Sequence, residues 1–205
     1  MPSLYFYYSA MNAGKSSTLL QAAWNYRERG MRPLLLKPQI DTRDSVGVIS
    51  SRIGLRADAL PFSTRDQLRE MIRKEHAVAA VACVFVDEAQ FLTRNQVKQL
   101  GEVADLEGIP VLTYGLRTDF QGNLFEGSQY LLAWADVISE IKAICHCGRR
   151  ATRVLRLNSD GHPVRSGEQI SIGGNESYVS VCRRHFREGL PEHPGRPLPF
   201  PDSPL

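Results

Sequence analysis

A chain of 205 residues is long enough for one or two domains with a sizeable buried core. Its apolar and charged fractions of 42% and 23% lie close to those of soluble globular proteins, and a net charge of +3 exerts no strong pull toward nucleic acid or membrane. No apolar run reaches the length of a membrane span and no signal-peptide pattern opens the chain, so neither a membrane nor a nucleic-acid partner is expected, and the cytoplasm is the expected location.

Residues 4–8 form a short, aromatic-rich apolar run that reads as a buried first strand. The next eight residues, Ser9-Ala10-Met11-Asn12-Ala13-Gly14-Lys15-Ser16, match the phosphate-loop pattern G-x-x-x-x-G-K-[ST], with serine at the first glycine. In such a loop successive backbone N–H groups turn inward to cradle phosphate oxygens, and Gly14 allows the close approach. Lys15 supplies charge near the β- and γ-phosphates, the Ser16 hydroxyl can ligate Mg²⁺, and the following helix adds its N-terminal N–H groups. That helix is predicted over residues 15–29, from Leu19, Ala22, Ala23 and Tyr26 at helical spacing and Gly30 at the cap.

A second apolar run at 33–36 is followed by a loop carrying Asp41-Thr42-Arg43, and a third lies at 81–86. The third ends in Val86-Asp87-Glu88, two acids at the carboxyl edge of a strand, where an open α/β sheet places its ligands. One carboxylate can hold a hydrated Mg²⁺ and the other can take a proton from a nucleophile. Alternation along a strand sends neighbouring side chains to opposite faces, so Asp87 and Glu88 diverge unless the chain bends there. Thr93 with Gln96 three residues on marks a helix start running to about Ala104, and 109–114 reads as a fourth strand. Apolar runs alternating with helical patterns predict an α/β domain with a mostly parallel sheet.

The character changes near Ile144. Short strand-like pieces follow at 151–157 and 169–172, with a turn at Asp160-Gly161. Of the four cysteines, Cys83 lies in an apolar run and reads as core. Cys145-His146-Cys147 and Cys182-Arg183-Arg184-His185 form a C-x-C and a C-x-x-H pair, giving three thiolates and an imidazole for a closed structural Zn²⁺ site at Cys145, Cys147, Cys182 and His185. His146 is a competing donor ranked below His185. The expected organisation is therefore a nucleotide-binding phosphate-loop domain at 1–143, a small zinc-binding, ribbon-like domain at 144–190, and a proline-rich tail at 191–205, disordered or laid extended on the surface. His76, His162 and His193 read as surface residues.

Up to about Glu188 the chain resembles the thymidine kinases of the bacterial and cytosolic type. The likeness is carried by Ser9 to Ser16, Asp41-Thr42-Arg43, Asp87-Glu88-Ala89-Gln90-Phe91, the cysteine–histidine set, and the stretches 114–120 and 173–182. The resemblance implies transfer of the γ-phosphoryl of ATP to the 5′-hydroxyl of thymidine, in nucleoside salvage for DNA synthesis; a pocket that senses the thymine methyl only by packing makes deoxyuridine the expected second substrate. It implies that Glu88 is the general base, that Asp87, Ala89 and Gln90 join the phosphate loop in holding ATP, and that Asp41 and Arg43 sit near the phosphates. It further implies a lasso loop in the second domain whose main chain holds the base, at Ser171, Ile172, Gly173, Gly174, Asn175 and on to Tyr178. Met11, Phe91, Leu116, Phe120 and Tyr178 match apolar positions lining the base pocket. A homotetramer inhibited by thymidine triphosphate is implied as well.

Two other readings compete. Asp87-Glu88-Ala89-Gln90 also resembles the acidic box of nucleic-acid motors, although such motors couple two nucleotide-fold domains and this chain has one set of motifs. A zinc-ribbon module with ATP as an allosteric ligand is the other; the modest charge and the lack of an aromatic-basic stripe argue against nucleic-acid readout.

Overall fold

The structure is a computed structural model that describes residues 3–42, 45–170 and 177–192. In chain order these form β1 (Leu4–Ser9), α1 (Lys15–Glu28), β2 (Pro33–Pro38), β3 (Val48–Ser50), β4 (Arg56–Asp58), β5 (Leu60–Phe62), α2 (Leu68–Val78), β6 (Cys83–Val86), a 3₁₀ turn (Ala89–Phe91), α3 (Arg94–Leu106), β7 (Val111–Leu116), α4 (Glu126–Trp134) and β8 (Val137–Glu140). The remainder comprises β9 (Ala143–Ile144), β10 (Arg150–Ala151), β11 (Arg153–Leu157), β12 (Pro163–Val164), β13 (Tyr178–Val181) and α5 (Arg183–Glu188).

Six strands form one sheet in the order β5-β2-β6-β7-β1-β8, every adjacent pair parallel. A parallel sheet covered on both faces demands strands apolar on both sides, and β2 and β6 are buried at every position. Alternation divides them between two cores. Leu34, Leu36, Val84 and Val86 join Leu68 and Ile72 of α2 and Leu100 and Val103 of α3. Leu35, Cys83 and Phe85 join Leu19 and Leu20 of α1 on the opposite face. Cys83 is thus a core residue, as its apolar context predicts.

Because all six strands point the same way, Ser9, Pro38, Val86 and Leu116 end at one edge of the sheet. The helix predicted at 15–29 ends one residue early. Gly30, at φ +71°, follows it, and Gly30 N–H and Met31 N–H donate back to Arg27 and Tyr26 carbonyls. Thr93 and Gln96 form the reciprocal capping box expected of them.

The sequence pattern left the hairpin β3–β4, the edge strands β5 and β8, and the helices α2 and α4 of this domain unassigned. The antiparallel hairpin β3–β4 and the short edge strand β5 are three residues each, too short for a periodic signal. Helix α4 lacks a side-chain cap and so lacked a start signal.

After β8 come a two-stranded pair, β10-β9, and a three-stranded antiparallel sheet, β12-β11-β13. A third core of Cys145, Ala151, Leu155, Val181 and Cys182 lies among them. The strand expected at 169–172 is absent at Gln169 and Ile170. There the Gln169 side chain is tied to Asp119 and to the Leu124 carbonyl, while residues 171 and 172 lie outside the described residues. Among the described residues no helix is long and apolar enough to cross a membrane. The tail from residue 193 lies outside the described residues.

Candidate active site

The phosphate loop leaves β1 at Ser9 and enters α1 at Lys15. Left-handed backbone falls on Asn12 (φ 63°) and Gly14 (φ 86°), not on Ser9, so the serine in the first pattern position is conformationally at ease. Gly14 is required for its φ: a Cβ there would meet no protein atom within 4 Å. The N-terminus of α1 has no side-chain cap, leaving its first N–H groups for an anion. Lys15 is buried, its Nζ donating to Ser9 Oγ at 3.2 Å and to the Ala10 carbonyl at 3.3 Å. Ser9 thus supplies a hydroxyl that rests the lysine, which glycine could not do.

The end of β6 answers the question of how two adjacent acids converge. Glu88 has φ 48° and ψ 42°, a left-handed conformation uncommon for a residue with a long side chain. This bend swings Glu88 away from the direction strand alternation would impose. Asp87 Oδ2 accepts from Ser16 Oγ at 3.0 Å, and Asp87 Oδ1 accepts from the Glu88 N–H at 3.0 Å. Burial pushes the Asp87 carboxyl well above the ordinary carboxylate range, and the Glu88 charge adds to this; Ser16 and Lys15 oppose it. A carboxylate so placed beside a hydroxyl at a phosphate loop is a fitting seat for the Mg²⁺ of a nucleotide, since a dication removes the cost of its burial. The 3₁₀ turn after Glu88 buries Ala89 in the first core. It places the Gln90 amide to donate to Glu88 and to accept from the Leu116 N–H at 3.0 Å. Gly127 of α4 is needed beside this turn, because a Cβ would lie 2.4 Å from the Ala89 carbonyl oxygen.

Two cavities open along the strand ends. A polar cleft is lined by Asn12 to Ser17, Lys37, Asp41, Asp87, Glu88 and the hairpin residues from Ile49 to Ile53. An apolar cavity beside it is lined by Met11, Phe91, Leu116, Phe120 and Tyr178, all five expected from sequence, with Phe125, Val154 and Ile170 in addition. Its polar groups are Asp41, Glu88, Gln90, Thr118, Asp119 and Gln169. Among the described residues, Asp41 and Glu88 line both cavities. Ala89 and Gln90, expected beside the nucleotide, do not line the cleft; Gln90 faces the apolar cavity instead. Arg43, Ser171, Ile172, Gly173, Gly174 and Asn175 lie outside the described residues.

Two further residues here had no role assigned from sequence. Lys37 is buried at the end of β2, 3.4 Å from Asp41 Oδ2, and its Nζ donates to the Val48 carbonyl at 2.9 Å. A lysine directly continuing a run of leucines was the available signal. Asp119 is buried, and its Oδ1 accepts from the Gln121 and Asn123 N–H groups at 2.9 Å each. Its Oδ2 accepts from Gln169 Nε2 at 2.9 Å. This carboxylate ties the loop after β7 to the segment leading into residue 171.

The cysteine–histidine set converges as its spacing predicts. Donor atoms of Cys145, Cys147, Cys182 and His185 lie within 4.8 Å of one another. Cys145 Sγ is 3.3 Å from His185 Nδ1, and Cys147 Sγ is 3.9 Å from Cys182 Sγ. Donors on a tetrahedral zinc with Zn–S of about 2.3 Å are separated by roughly 3.6–3.8 Å, so the set fits that ion. Gly148, at φ +80°, makes the turn after the first pair. Burial works against the Cys182 thiolate, but the His185 and Arg184 N–H groups and the neighbouring thiols outweigh it and lower the thiol pKa. His146 is outside the donor group and stacks its ring on His185 at 4.3 Å.

Comparison with known proteins agrees with this geometry. The sequence model of the thymidine kinase family matches residues 2–186. The chain is 58% identical over 203 residues to a thymidine kinase of Rhodopirellula baltica, covering 99% of this chain and 96% of that one. It is 60% identical over 188 residues to one from Shewanella oneidensis, covering 92% and 98%, and 58% identical over 192 residues to one from Photorhabdus laumondii, covering 94% and 96%.

Proposed function

The chain belongs to the thymidine kinase family and phosphorylates thymidine, and on that premise we propose that Glu88 is the general base at the junction of an ATP cleft and a thymidine pocket. One observation carries the reading. A base that activates an acceptor hydroxyl toward a donor phosphate must touch both ligands' compartments, and among the described residues Asp41 and Glu88 alone line both. Asp41 is held beside Lys37, whereas Glu88 stands on a strained backbone with Gln90 donating to its carboxylate. Strain of this kind persists where surrounding structure enforces it and function uses it.

In the proposed reaction ATP lies in the polar cleft with its phosphates on the N-terminus of α1. Lys15 moves from its rest on Ser9 and Ala10 to the β- and γ-phosphates. Ser16 and Asp87 would hold the Mg²⁺, which when bound neutralises charge on those phosphates. Thymidine lies in the apolar cavity, its 5′-hydroxyl directed at Glu88. An alcohol is far too weak an acid to be deprotonated in advance by a carboxylate with pKa about 4.3. Glu88 therefore orients the hydroxyl and accepts its proton late, as the oxygen bonds to phosphorus and the bond from phosphorus to the β-phosphate oxygen breaks. Positioning and fixed charge supply most of the acceleration.

The base would rest among Met11, Phe91, Leu116, Phe120 and Tyr178, with main-chain groups of residues 171–178 proposed as its further partners on the family likeness. An apolar slot discriminates one methyl group by roughly 1–3 kcal/mol, so deoxyuridine is the second substrate we propose. Zn²⁺ on Cys145, Cys147, Cys182 and His185 would fix the turn between β9 and β10 against the junction of β13 and α5; four protein donors leave no open position for catalysis. The division at about residue 143, the homotetramer and inhibition by thymidine triphosphate are proposals supported by family likeness. The deciding experiment is transfer of labelled γ-phosphate from ATP to a panel of nucleosides. Thymidine is expected to be labelled most efficiently and deoxyuridine next, with no stimulation by single-stranded nucleic acid; label transferred without regard to the base would overturn the pocket assignment.

A further inference from the structure

Between β12 and residue 170 the chain forms neither helix nor strand, so its backbone groups have no ladder to join. Side chains hold it instead. Arg156 of β11 donates from Nη2 to the Ser166 carbonyl at 3.3 Å and from Nη1 to the Glu168 carbonyl at 3.0 Å. The same guanidinium lies over the Phe120 ring, 3.8 Å from its centroid. Gln121 Nε2 donates to the Gly167 carbonyl at 3.0 Å. Gln169 Nε2 donates to Asp119 Oδ2 at 2.9 Å and to the Leu124 carbonyl at 3.2 Å. Each residue from Ser166 to Gln169 is therefore fastened to β11 or to the loop that follows β7.

That loop is itself a closed turn built on Asp119. Asp119 N–H donates to the Asn123 carbonyl at 2.9 Å, and Thr118 and Leu124 pair as an antiparallel bridge. Asp119 Oδ1 accepts from the Gln121 and Asn123 N–H groups at 2.9 Å each. The turn carries Phe120, only 2% exposed, into the apolar cavity. One oxygen of the carboxylate thus shapes the wall that bears Phe120. The other holds the segment whose Gln169 and Ile170 line the same cavity. Burying a charge is costly unless hydrogen bonds meet it, and here neutral N–H donors meet it at both oxygens. Apolar side chains could join the two segments at less cost, but only directed bonds fix their register.

We propose that Asp119 is a positioning residue of the nucleoside cavity, with Gln169 as its partner: their contact sets how the wall of Phe120 and the wall of Ile170 face each other, and so how tightly the cavity fits the base. The inference rests on the reading that thymidine fills this cavity. Asp119 and Gln169 line the apolar cavity and not the polar cleft, so the contact acts on the nucleoside and leaves the nucleotide alone. Its effect falls on binding and not on the chemical step.

The test uses the full-length, metal-replete enzyme and steady-state kinetics at about pH 8, where ordinary carboxylates are ionised. Gln169 is exposed, so Gln169→Met removes the donor without disturbing a core. It is expected to raise the thymidine KM by roughly tenfold, the worth of a hydrogen bond to a charged group, with kcat and the ATP KM unchanged. Gln169→Glu sets two carboxylates against each other and raises the thymidine KM further. Asp119→Asn added to Gln169→Glu restores the contact with its polarity reversed, the new amide donating to the new carboxylate. Much of the loss is then recovered, the Leu124 carbonyl remaining without its donor. General loosening gives no such recovery, because two independent losses add. Thymidine KM values equal to wild type in both Gln169 variants overturn the proposal. So does an ATP KM that rises in step, or a double variant worse than Gln169→Glu alone. Phe91→Ala, in the cavity but outside this contact, keeps the two readings apart. Where it raises the thymidine KM and the Gln169 variants do not, the positioning role alone fails; where none of them does, the apolar cavity is not the thymidine site and the proposal falls with it.

Discussion

Phe85 in the parallel sheet is buried among Leu19, Leu35 and Tyr114, carbon packed on carbon from two layers. Leu155 in the three-stranded sheet has Cys145, Ala151, Val181 and Cys182 as its buried companions. Two of those four are proposed metal donors. The first region carries a core that stands by hydrophobic burial alone. The second has so small a core that its centre is the metal site itself, as happens where a unit is too short to bury enough apolar surface. Yet both regions line the apolar cavity, the first through Phe91, Leu116, Phe120 and Phe125, the second through Val154 and Tyr178. Thymidine affinity should therefore depend on the metal while the nucleotide cleft does not.

Removal of the metal breaks this comparison most forcefully. A structural zinc contributes on the order of 10 kcal/mol to the folding of a small domain. Chelation, or Cys182→Ser, should open the segment from about residue 143 to protease and abolish thymidine binding, while the ATP analogue still binds. Metal analysis, limited proteolysis and calorimetry read the three effects. Undiminished thymidine affinity in the metal-free protein would show that the small unit has a sufficient core of its own.

A change at the junction has the next largest effect and separates chemistry from structure. Glu88→Gln keeps the size and the backbone of Glu88 and removes the proton acceptor. Turnover should fall by roughly 10²- to 10⁴-fold, the usual worth of a general base, with binding of both ligands and protease resistance retained. Full turnover in this variant would return the base role to Asp41, the other residue shared by the cavities.

Asp87 shows what the large region gives up for its site. Its pKa is raised because burial, and then the Glu88 charge, disfavour the ionised form. A raised carboxylate pKa means that the native state binds its proton more tightly than the unfolded state. Its ionisation therefore weighs against the fold as pH rises from the ordinary carboxylate range toward neutrality. In Mg²⁺-free buffer without nucleotide, Asp87→Asn should be more stable than wild type at pH 8, by on the order of 1–3 kcal/mol, and the gap should close toward pH 4. Denaturant titrations across pH measure it. A variant less stable than wild type at pH 8 would mean that the hydrogen bonds from Ser16 and Glu88 outweigh the burial of the charge.

The legibility of these parts follows from how local their determinants are. The phosphate loop, the α1 cap at Gly30, the Thr93–Gln96 box and the donor spacing at Cys145 and Cys182 are written in neighbouring residues, and each appears where the pattern puts it. The left-handed bend at Glu88 was open in the sequence, because strand alternation argued for divergence while the proposed chemistry needed a bend. The roles of Lys37 and Asp119 were not legible, since each acquires its place from a partner distant in sequence: Val48 and Gln169. The strand expected at 169–172 failed at its first two positions for the same reason, the Gln169 side chain being held by Asp119 and Leu124.

The finest test of the comparison lies where the two regions touch. Ser180 of β13, two residues before the donor Cys182, donates its hydroxyl to the Met11 carbonyl of the phosphate loop at 2.5 Å. Met11 lines the apolar cavity and not the polar cleft, so this bond can pass the position of the small unit to the pocket without touching the cleft's cations. A neutral hydrogen bond of this kind contributes about 0.5–1.5 kcal/mol net. Ser180→Ala should accordingly raise the KM for thymidine by roughly three- to tenfold, leave kcat nearly unchanged, and be rescued by Ser180→Thr, which restores the hydroxyl. If the substitution instead lowers only the melting temperature and leaves the thymidine KM where it was, the bond fastens the small unit without setting Met11. The metal would then reach the pocket through Val154 and Tyr178 alone.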